Sequence, residues 1–465
     1  MTTLLLRQTV HLLAVIVAVL ASVHPTHAQT IASDSTVRSI LKVRVESGRA
    51  PGIVVGILEN GQRRYVVYGS AGPGRGPLDE HTLFEIGSIS KTFTGLLLAD
   101  AVVRGEVRLD QPVVELLPAG TVIPARADRP ITLEQLATHR SGLPRLPTNM
   151  APANPADPYA DYDEARRYAF LAAYTLPRSP GDSAEYSNLG AGLLGHALVR
   201  RSGAPSWGAL VERRITGPLG MRETFVDLPP AAIERMAAGH DAGMDTVPLW
   251  HLDVLAGAGA LRSTAADMLT YLAAQMDTVE GPLARAVALA RAPRAELGGG
   301  NRIALGWVVR GPADRPIWWH NGGTGGFRTF AAFDPERRVA VVVLANAAVS
   351  ADDIGMHLLD RTTPLGMPPV PPRRTVIPLS TTDLDRLVGD YPLAPAFVLH
   401  VTREGDVLYL QATGQPKVRL WPTAPDRFFL KEVDAELVFG LTGGGPATSV
   451  TLLQNGISQT AQRKP

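Results

Sequence analysis

The chain has 465 residues, room for two to three domains, and its 45% hydrophobic and 19% charged content excludes both a disordered chain and a multi-span membrane protein. Forty-five basic and 44 acidic residues give a net charge of +1, so no overall basic excess draws the chain to nucleic acid or to an anionic surface. Cysteine is absent, which removes disulfides, thiolate metal sites, iron–sulfur clusters and cysteine nucleophiles together.

Arg7 is the one formally charged side chain among the first 28 residues. An apolar run from Leu12 to Val23 follows, too short to span a bilayer core of ~30 Å as a helix. Thr26-His27-Ala28 then places small residues at the −3 and −1 positions that a signal peptidase reads. Residues 1–28 are therefore expected to be a signal peptide cleaved after Ala28. The protein would be periplasmic or secreted, with no stable membrane span after cleavage.

Next come two β-rich runs, Ile53–Leu58 and Arg64–Tyr68, around Asn60-Gly61, a strong hairpin signal. From Ser88 the pattern switches to helical spacing through Ile89, Phe93, Leu96, Leu97 and Ala101. Pro- and Gly-rich loops fill Arg126 to Pro158, and Asn188 to Arg200 reads as a buried helix rich in Gly, Ala and Leu. Ser263 or Thr264 caps a further helix with Asp267 in its first turn. Phe327–Phe333 and Val339–Leu344 are strands around a turn at Asp334-Pro335-Glu336-Arg337. Strands near both ends of residues 29–362, with helices between, predict an α+β domain whose terminal segments share one antiparallel sheet. Residues 363–378 carry Pro364, Pro368, Pro369, Pro371, Pro372 and Pro378, a stiff linker. Residues 379–465 then show six short strands between turns, predicting a small β-barrel or sandwich.

Three motifs carry the chemistry. The first is Phe84-Glu85-Ile86-Gly87-Ser88-Ile89-Ser90-Lys91. Ser-x-x-Lys at a helix start puts a hydroxyl and an amine on one face, one turn apart. A hydroxyl is a poor nucleophile until a neighbour takes its proton, and a lysine desolvated below its usual pKa of ~10.4 can be that neighbour. The helix start also offers the Ser88 N–H as one oxyanion donor. The second motif is Tyr186-Ser187-Asn188, with a phenol able to relay protons beside Lys91 and an amide able to hold a substrate carbonyl or Lys91. The third is His320-Asn321-Gly322-Gly323-Thr324-Gly325-Gly326-Phe327, a Gly-rich run beside a strand that lets a substrate approach closely. It exposes a second donor, the N–H of Gly323.

In order and separation these motifs resemble the serine β-lactamase and penicillin-recognising enzyme superfamily, in its class C β-lactamase and DD-peptidase branch. Leu136–Pro144 (Leu-Ala-Thr-His-Arg-Ser-Gly-Leu-Pro) and Gly259–Ala265 (Gly-Ala-Leu-Arg-Ser-Thr-Ala) are similar to further stretches of that branch, and the resemblance covers about Ser35 to Asp360. It implies a sheet flanked by helices with an all-helical subdomain. It also implies Ser88 as the acylated nucleophile, Lys91 as its activating partner and Tyr186 as general base, with Lys91 and Tyr186 held as a coupled pair. Asn188, His320, Asn321, Gly322 and Gly323 would bind substrate, the last donating its N–H with that of Ser88.

One departure matters. Class C β-lactamases usually carry Lys-Thr-Gly in the third motif, where this chain has His320-Asn321-Gly322. A histidine of unperturbed pKa ~6.5 is only partly charged at neutral pH, which weighs against binding carboxylate-bearing β-lactams and toward a peptidase. Because the Phe84–Lys91 signature is complete, the leading expectation is β-lactam hydrolysis, with D-alanyl-D-alanine carboxypeptidase or endopeptidase action on peptidoglycan peptides and then ester hydrolysis as alternatives. The alternative of another class is a penicillin sensor that acylates without turnover. The expected partner is a small-molecule or peptide substrate, with no nucleic acid, and the sequence leaves the oligomeric state open. Eleven histidines contain no His-x-x-x-His or His-Glu-x-x-His, so neither a metal nor a cofactor is expected. His139 is read as holding its loop by hydrogen bonds. Trp318 and Trp319 are read as lining the cleft or packing in the core.

Overall fold

A computed structural model describes residues 31–276, 279–366, 375–394, 397–415, 417–430, 435–454 and 457–464. The expected signal peptide, 1–28, and part of the Pro-rich linker lie outside the described residues. Strands Gly52–Glu59 and Gln62–Gly69 pair antiparallel across Asn60-Gly61, whose φ values of 49° and 83° are the left-handed pair a tight hairpin turn requires. Val339–Ala345 lies on the other side of Gly52–Glu59, with Ile53 opposite Ala345. Arg328–Asp334, Ile317–Gly323, Val308–Arg310, Asn301–Ile303 and Ala295–Gly298 continue outward to complete eight strands. The two ends of the first domain thus share one sheet.

Both faces of its centre are covered. Ile53, Val55, Ile57, Val341 and Val343 pack with Val37 and Leu41 of helix Asp34–Glu46 and with Ile354 and Leu358 of helix Asp352–Leu359. Val54, Leu58, Val342 and Leu344 face Phe93 and Leu97 of helix Ser90–Val103 and Met268 and Leu272 of helix Ala265–Ala274. Burial on both faces is why Val339–Ala345 reads as an unbroken apolar run rather than an alternation. Each such Val, Leu or Ile contributes roughly 1.5–3 kcal/mol through its burial. Thr264 caps Ala265–Ala274 by accepting the Asp267 N–H.

Helices Leu133–Ala137, Glu164–Ala173, Asn188–Ser202 and Trp207–Val211 form the helical region beyond the buried Ser90–Val103 helix. Their starts are capped by Thr132, Asp163, Ser187 and Ser206. The Ser187 cap fixes where the second motif enters its helix.

The C-terminal domain is an eight-stranded meander from Gly389–Ala394 to Ile457–Gln462. Its ends meet where the Lys464 N–H donates to the Asp390 carbonyl at 2.8 Å, so the sheet curls into a near-barrel. The core holds Tyr391, Leu399, Val401, Leu408, Phe428, Leu437, Phe439 and Val450. The six expected strands are present, and Gly389–Ala394 and Ile457–Gln462 extend them at either end. Among the described residues no helix is long and apolar enough to cross a membrane.

Candidate active site

Ser88 sits in the 3-10 turn Gly87–Ile89, immediately before helix Ser90–Val103, rather than on the α-helix itself. The tighter turn still brings Lys91 round, and Lys91 Nζ lies 2.9 Å from Ser88 Oγ and donates to the Ala258 carbonyl at 2.6 Å. Lys91 is buried, 3% exposed. Burial, reinforced by the charge of Arg145, holds its ammonium well below the usual lysine range. The amine stands 4.8 Å from the centre of the Tyr186 ring. Burial pushes the Tyr186 phenol up to about 12, against the opposing pull of its hydrogen bond with Ser88 and of the Arg145 charge. Of the two candidate bases, the amine therefore releases its proton first.

The turn bearing Tyr186 is gripped by residues 139–145. The His139 carbonyl accepts the Glu185 N–H at 2.8 Å, and His139 Nδ1 accepts the Ser187 N–H at 3.2 Å. His139 adopts a left-handed φ of 58° at this turn. Its ring lies 4.5 Å from that of Tyr186, so it positions the phenol's turn as well as its own loop. Ser187 Oγ donates to the Pro144 carbonyl at 2.7 Å, and the Asn188 N–H donates to the Arg145 carbonyl at 2.9 Å. Asn188 Oδ1 is buried and has no hydrogen-bond partner among the described residues. Of the two partners open to the Asn188 amide, a substrate carbonyl or Lys91, the structure shows no bond to Lys91, whose amine is held by the Ala258 carbonyl.

His320, Asn321, Gly322 and Gly323 are the last residues of strand Ile317–Gly323, not a loop beside it. The strand presses against the first motif. A Cβ on Gly322 would overlap the Ile86 carbonyl oxygen and the Thr329 hydroxyl, and a Cβ on Gly87 would sit 2.7 Å from the Gly323 nitrogen. Gly87 has a φ of 53°. This approach sets the Gly323 N–H beside the turn that carries Ser88, as an oxyanion pocket requires. The His320 ring is 6.3 Å from Tyr186 and 2% exposed. Burial and the nearby Lys91 push its imidazole down to about 3, so at neutral pH it is uncharged. Asn321 turns its amide to Asp352 at 2.6 Å. Trp318 stacks on Phe333 and Trp319 on Phe330, so both pack within the domain.

Sequence reasoning missed four contributors: Arg145, the Ala258 carbonyl, Trp250 and Tyr159. The Arg145 guanidinium lies 5.1 Å from the Tyr186 ring centre. Trp250 donates its backbone N–H to Glu85 and packs edge-on to Tyr159, and a Cβ on Gly325 would come 2.9 Å from its indole nitrogen. It therefore walls the third motif. A backbone carbonyl leaves no mark in a sequence, and neither aromatic belongs to a short motif. Arg145 follows directly on Leu136–Pro144, the one positional hint available. Among the described residues no cluster of His, Cys, Asp and Glu fit to hold a metal occurs.

A partly exposed serine bonded to a buried amine, under a phenol and beside two backbone donors, is the arrangement of a serine acyltransferase or hydrolase. Residues 37–362 match the family described as Beta-lactamase, and residues 373–463 match a domain described as of unknown function, DUF3471. The chain belongs to the beta-lactamase family. It is 30% identical over 347 residues to the D-alanyl-D-alanine-carboxypeptidase/endopeptidase AmpH of Escherichia coli K12, covering 70% of this chain and 88% of that one. It is also 30% identical over 338 residues to the beta-lactamase of the same strain, covering 65% and 85%. Among solved structures, a class C beta-lactamase from Rhodobacter sphaeroides superposes with a TM-score of 0.58 at 29% identity, over 67% of this chain and 94% of that one.

Proposed function

We propose that the protein is an exported serine hydrolase that cleaves carboxylate-bearing D-alanyl peptides through a Ser88 acyl-enzyme, and that it is periplasmic or secreted. The observation that carries this reading is the 2.9 Å contact of the buried Lys91 amine with Ser88 Oγ beneath the Tyr186 ring. Lys91, deprotonated, takes the Ser88 proton as Oγ attacks the carbonyl carbon. The Ser88 and Gly323 N–H groups hold the resulting oxyanion. On collapse the carbon–nitrogen bond breaks, Tyr186 gives its proton to the leaving amine, and the Lys91 ammonium restores it. Water then adds to the acyl carbon, passes a proton to the Lys91–Tyr186 pair, and releases the acid and Ser88. The 30% identity to AmpH, over a larger share of both chains than the 30% identity to the beta-lactamase, supports the peptidase. A second reading, β-lactam hydrolysis, is favoured by the complete Phe84–Lys91 signature.

A panel of an acyl-D-Ala-D-Ala peptide, nitrocefin and a short-chain nitrophenyl ester tests this, with fluorescent penicillin and mass spectrometry reading the adduct. The wild type should gain one acyl group and Ser88→Ala none. Hydrolysis by Ser88→Ala at the wild-type rate overturns the mechanism. Slow release of the penicilloyl group marks the peptidase, fast release the lactamase, and a one-equivalent burst without steady state a sensor.

A further inference from the structure

A carboxylate-bearing substrate needs a cation, and the third-motif strand does not offer a free one. His320 is buried and uncharged at neutral pH. The Asn321 amide is taken by Asp352. Arg328 spends Nη1 on the Thr324 and Phe327 carbonyls, at 2.6 and 2.9 Å, and feels the charge of Asp352. Lys91 is buried and bound to Ser88 and Ala258. Arg145 differs from all of these. It is exposed, and among the described residues its side chain forms no hydrogen bond and no ion pair. Its guanidinium carbon lies over the Tyr186 ring, 5.1 Å from the ring centre. The backbone beneath it is fixed, because its carbonyl accepts the N–H groups of Asn188 at 2.9 Å and Leu189 at 3.3 Å.

We propose that Arg145 is the carboxylate receptor of this site, a specificity-determining residue that grips the substrate's anionic group from the Tyr186 side. Cation–π attraction to the phenol ring, 5.1 Å away, draws the guanidinium to this wall, and with no hydrogen bond of its own its N–H edges are open to a bidentate carboxylate. Little side-chain freedom is then lost on binding, which is the benefit of pre-organisation. The role assigned to the Lys of the usual third motif passes to the other wall of the cleft. This inference rests on the Ser88 acyl-enzyme reading.

The test is calorimetric binding of phenylboronic acid and of its meta- and para-carboxy derivatives, which form a tetrahedral adduct on a serine nucleophile. The wild type should bind at least one carboxylated boronate about tenfold or more tighter than the parent compound. Arg145→Gln should abolish that preference, read within the variant as the ratio of carboxylated to parent boronate affinity, so that any common shift from losing its charge beside Lys91 cancels. Arg145→Lys, which keeps the charge and loses the fork, should retain part of it. A wild type without preference, an Arg145→Gln that keeps it, or an equal loss for charged and neutral boronates overturns the proposal. Ser88→Ala separates the two readings: boronate binding at wild-type affinity by that variant overturns the acyl-enzyme, whatever Arg145 does.

Discussion

The proton inventory of the site turns on Lys91 and Tyr186, whose surroundings push their pKa values apart. Burial drives the amine down and the phenol up, so the amine gives up its proton before the phenol does and is the better placed acceptor. Activity should rise with pH as Lys91 loses its proton, and Tyr186 should stay protonated to about pH 12. Lys91→Arg keeps the charge but cannot accept a proton. It should lower kcat/KM by about 10³-fold or more on amide and ester substrates alike and erase the rising limb of the pH profile. Tyr186→Phe should be selective. A leaving amine needs a proton and nitrophenolate does not, so the loss should be about 10²-fold or more on peptides and much smaller on nitrophenyl esters. Equal losses on both would place Tyr186 in proton abstraction from Ser88 instead. Steady-state kinetics across pH for the two variants reads both outcomes.

At the scale of elements, the site depends on how closely strand Ile317–Gly323 lies against the Ile86–Gly87 turn. No side chain fits at Gly322, since a Cβ there would overlap the Ile86 carbonyl and the Thr329 hydroxyl that hydrogen-bonds it at 2.9 Å. Gly322→Ala should destabilise the protein by about 3 kcal/mol or more, with activity lost from the fraction that folds. Urea unfolding followed by residual nitrocefin or peptide hydrolysis checks both parts, and a variant with wild-type stability would contradict the packing argument. Much of this was legible in the residues: Asn60-Gly61 marks its hairpin and Thr264 its helix start. Ile457–Gln462 was not, because it reads Ile-Ser-Gln-Thr-Ala-Gln and only Ala461 among them is buried. Its pairing comes from Ser449–Gln454, not from its own pattern. Gly389–Ala394 hides behind Pro392, which a strand tolerates here at an irregular register. The serine, lysine and tyrosine were legible because chemistry restricts their types. Arg145 was not, since only the folded turn sets it over a ring.

For the whole molecule, three sequestered histidines add an acid-labile contribution to stability. Burial pushes His320 and His196 down to about 3 and His139 well below its usual value. In the unfolded chain these imidazoles take up protons near pH 6.5, so the unfolded state binds more protons below that pH, down to about 3 for His320 and His196. Stability from them is complete above about pH 6.5 and is lost as the pH falls toward 3, by on the order of 4 kcal/mol for His320. Denaturant unfolding between pH 8 and 4 should show this slope. His196→Gln, which can still meet the Tyr168 hydroxyl now 2.7 Å from Nε2, should flatten it with little change at pH 8. An unaltered slope in that variant would remove His196 from the account.

The pairing of Gly52–Glu59 with Val339–Ala345 also sets a schedule for biosynthesis. The inner edge of the N-terminal hairpin stays unsatisfied until nearly three hundred further residues have left the ribosome. A nascent chain arrested before Val339 exposes that edge as a template for self-association, so this half of the molecule closes late and as a unit.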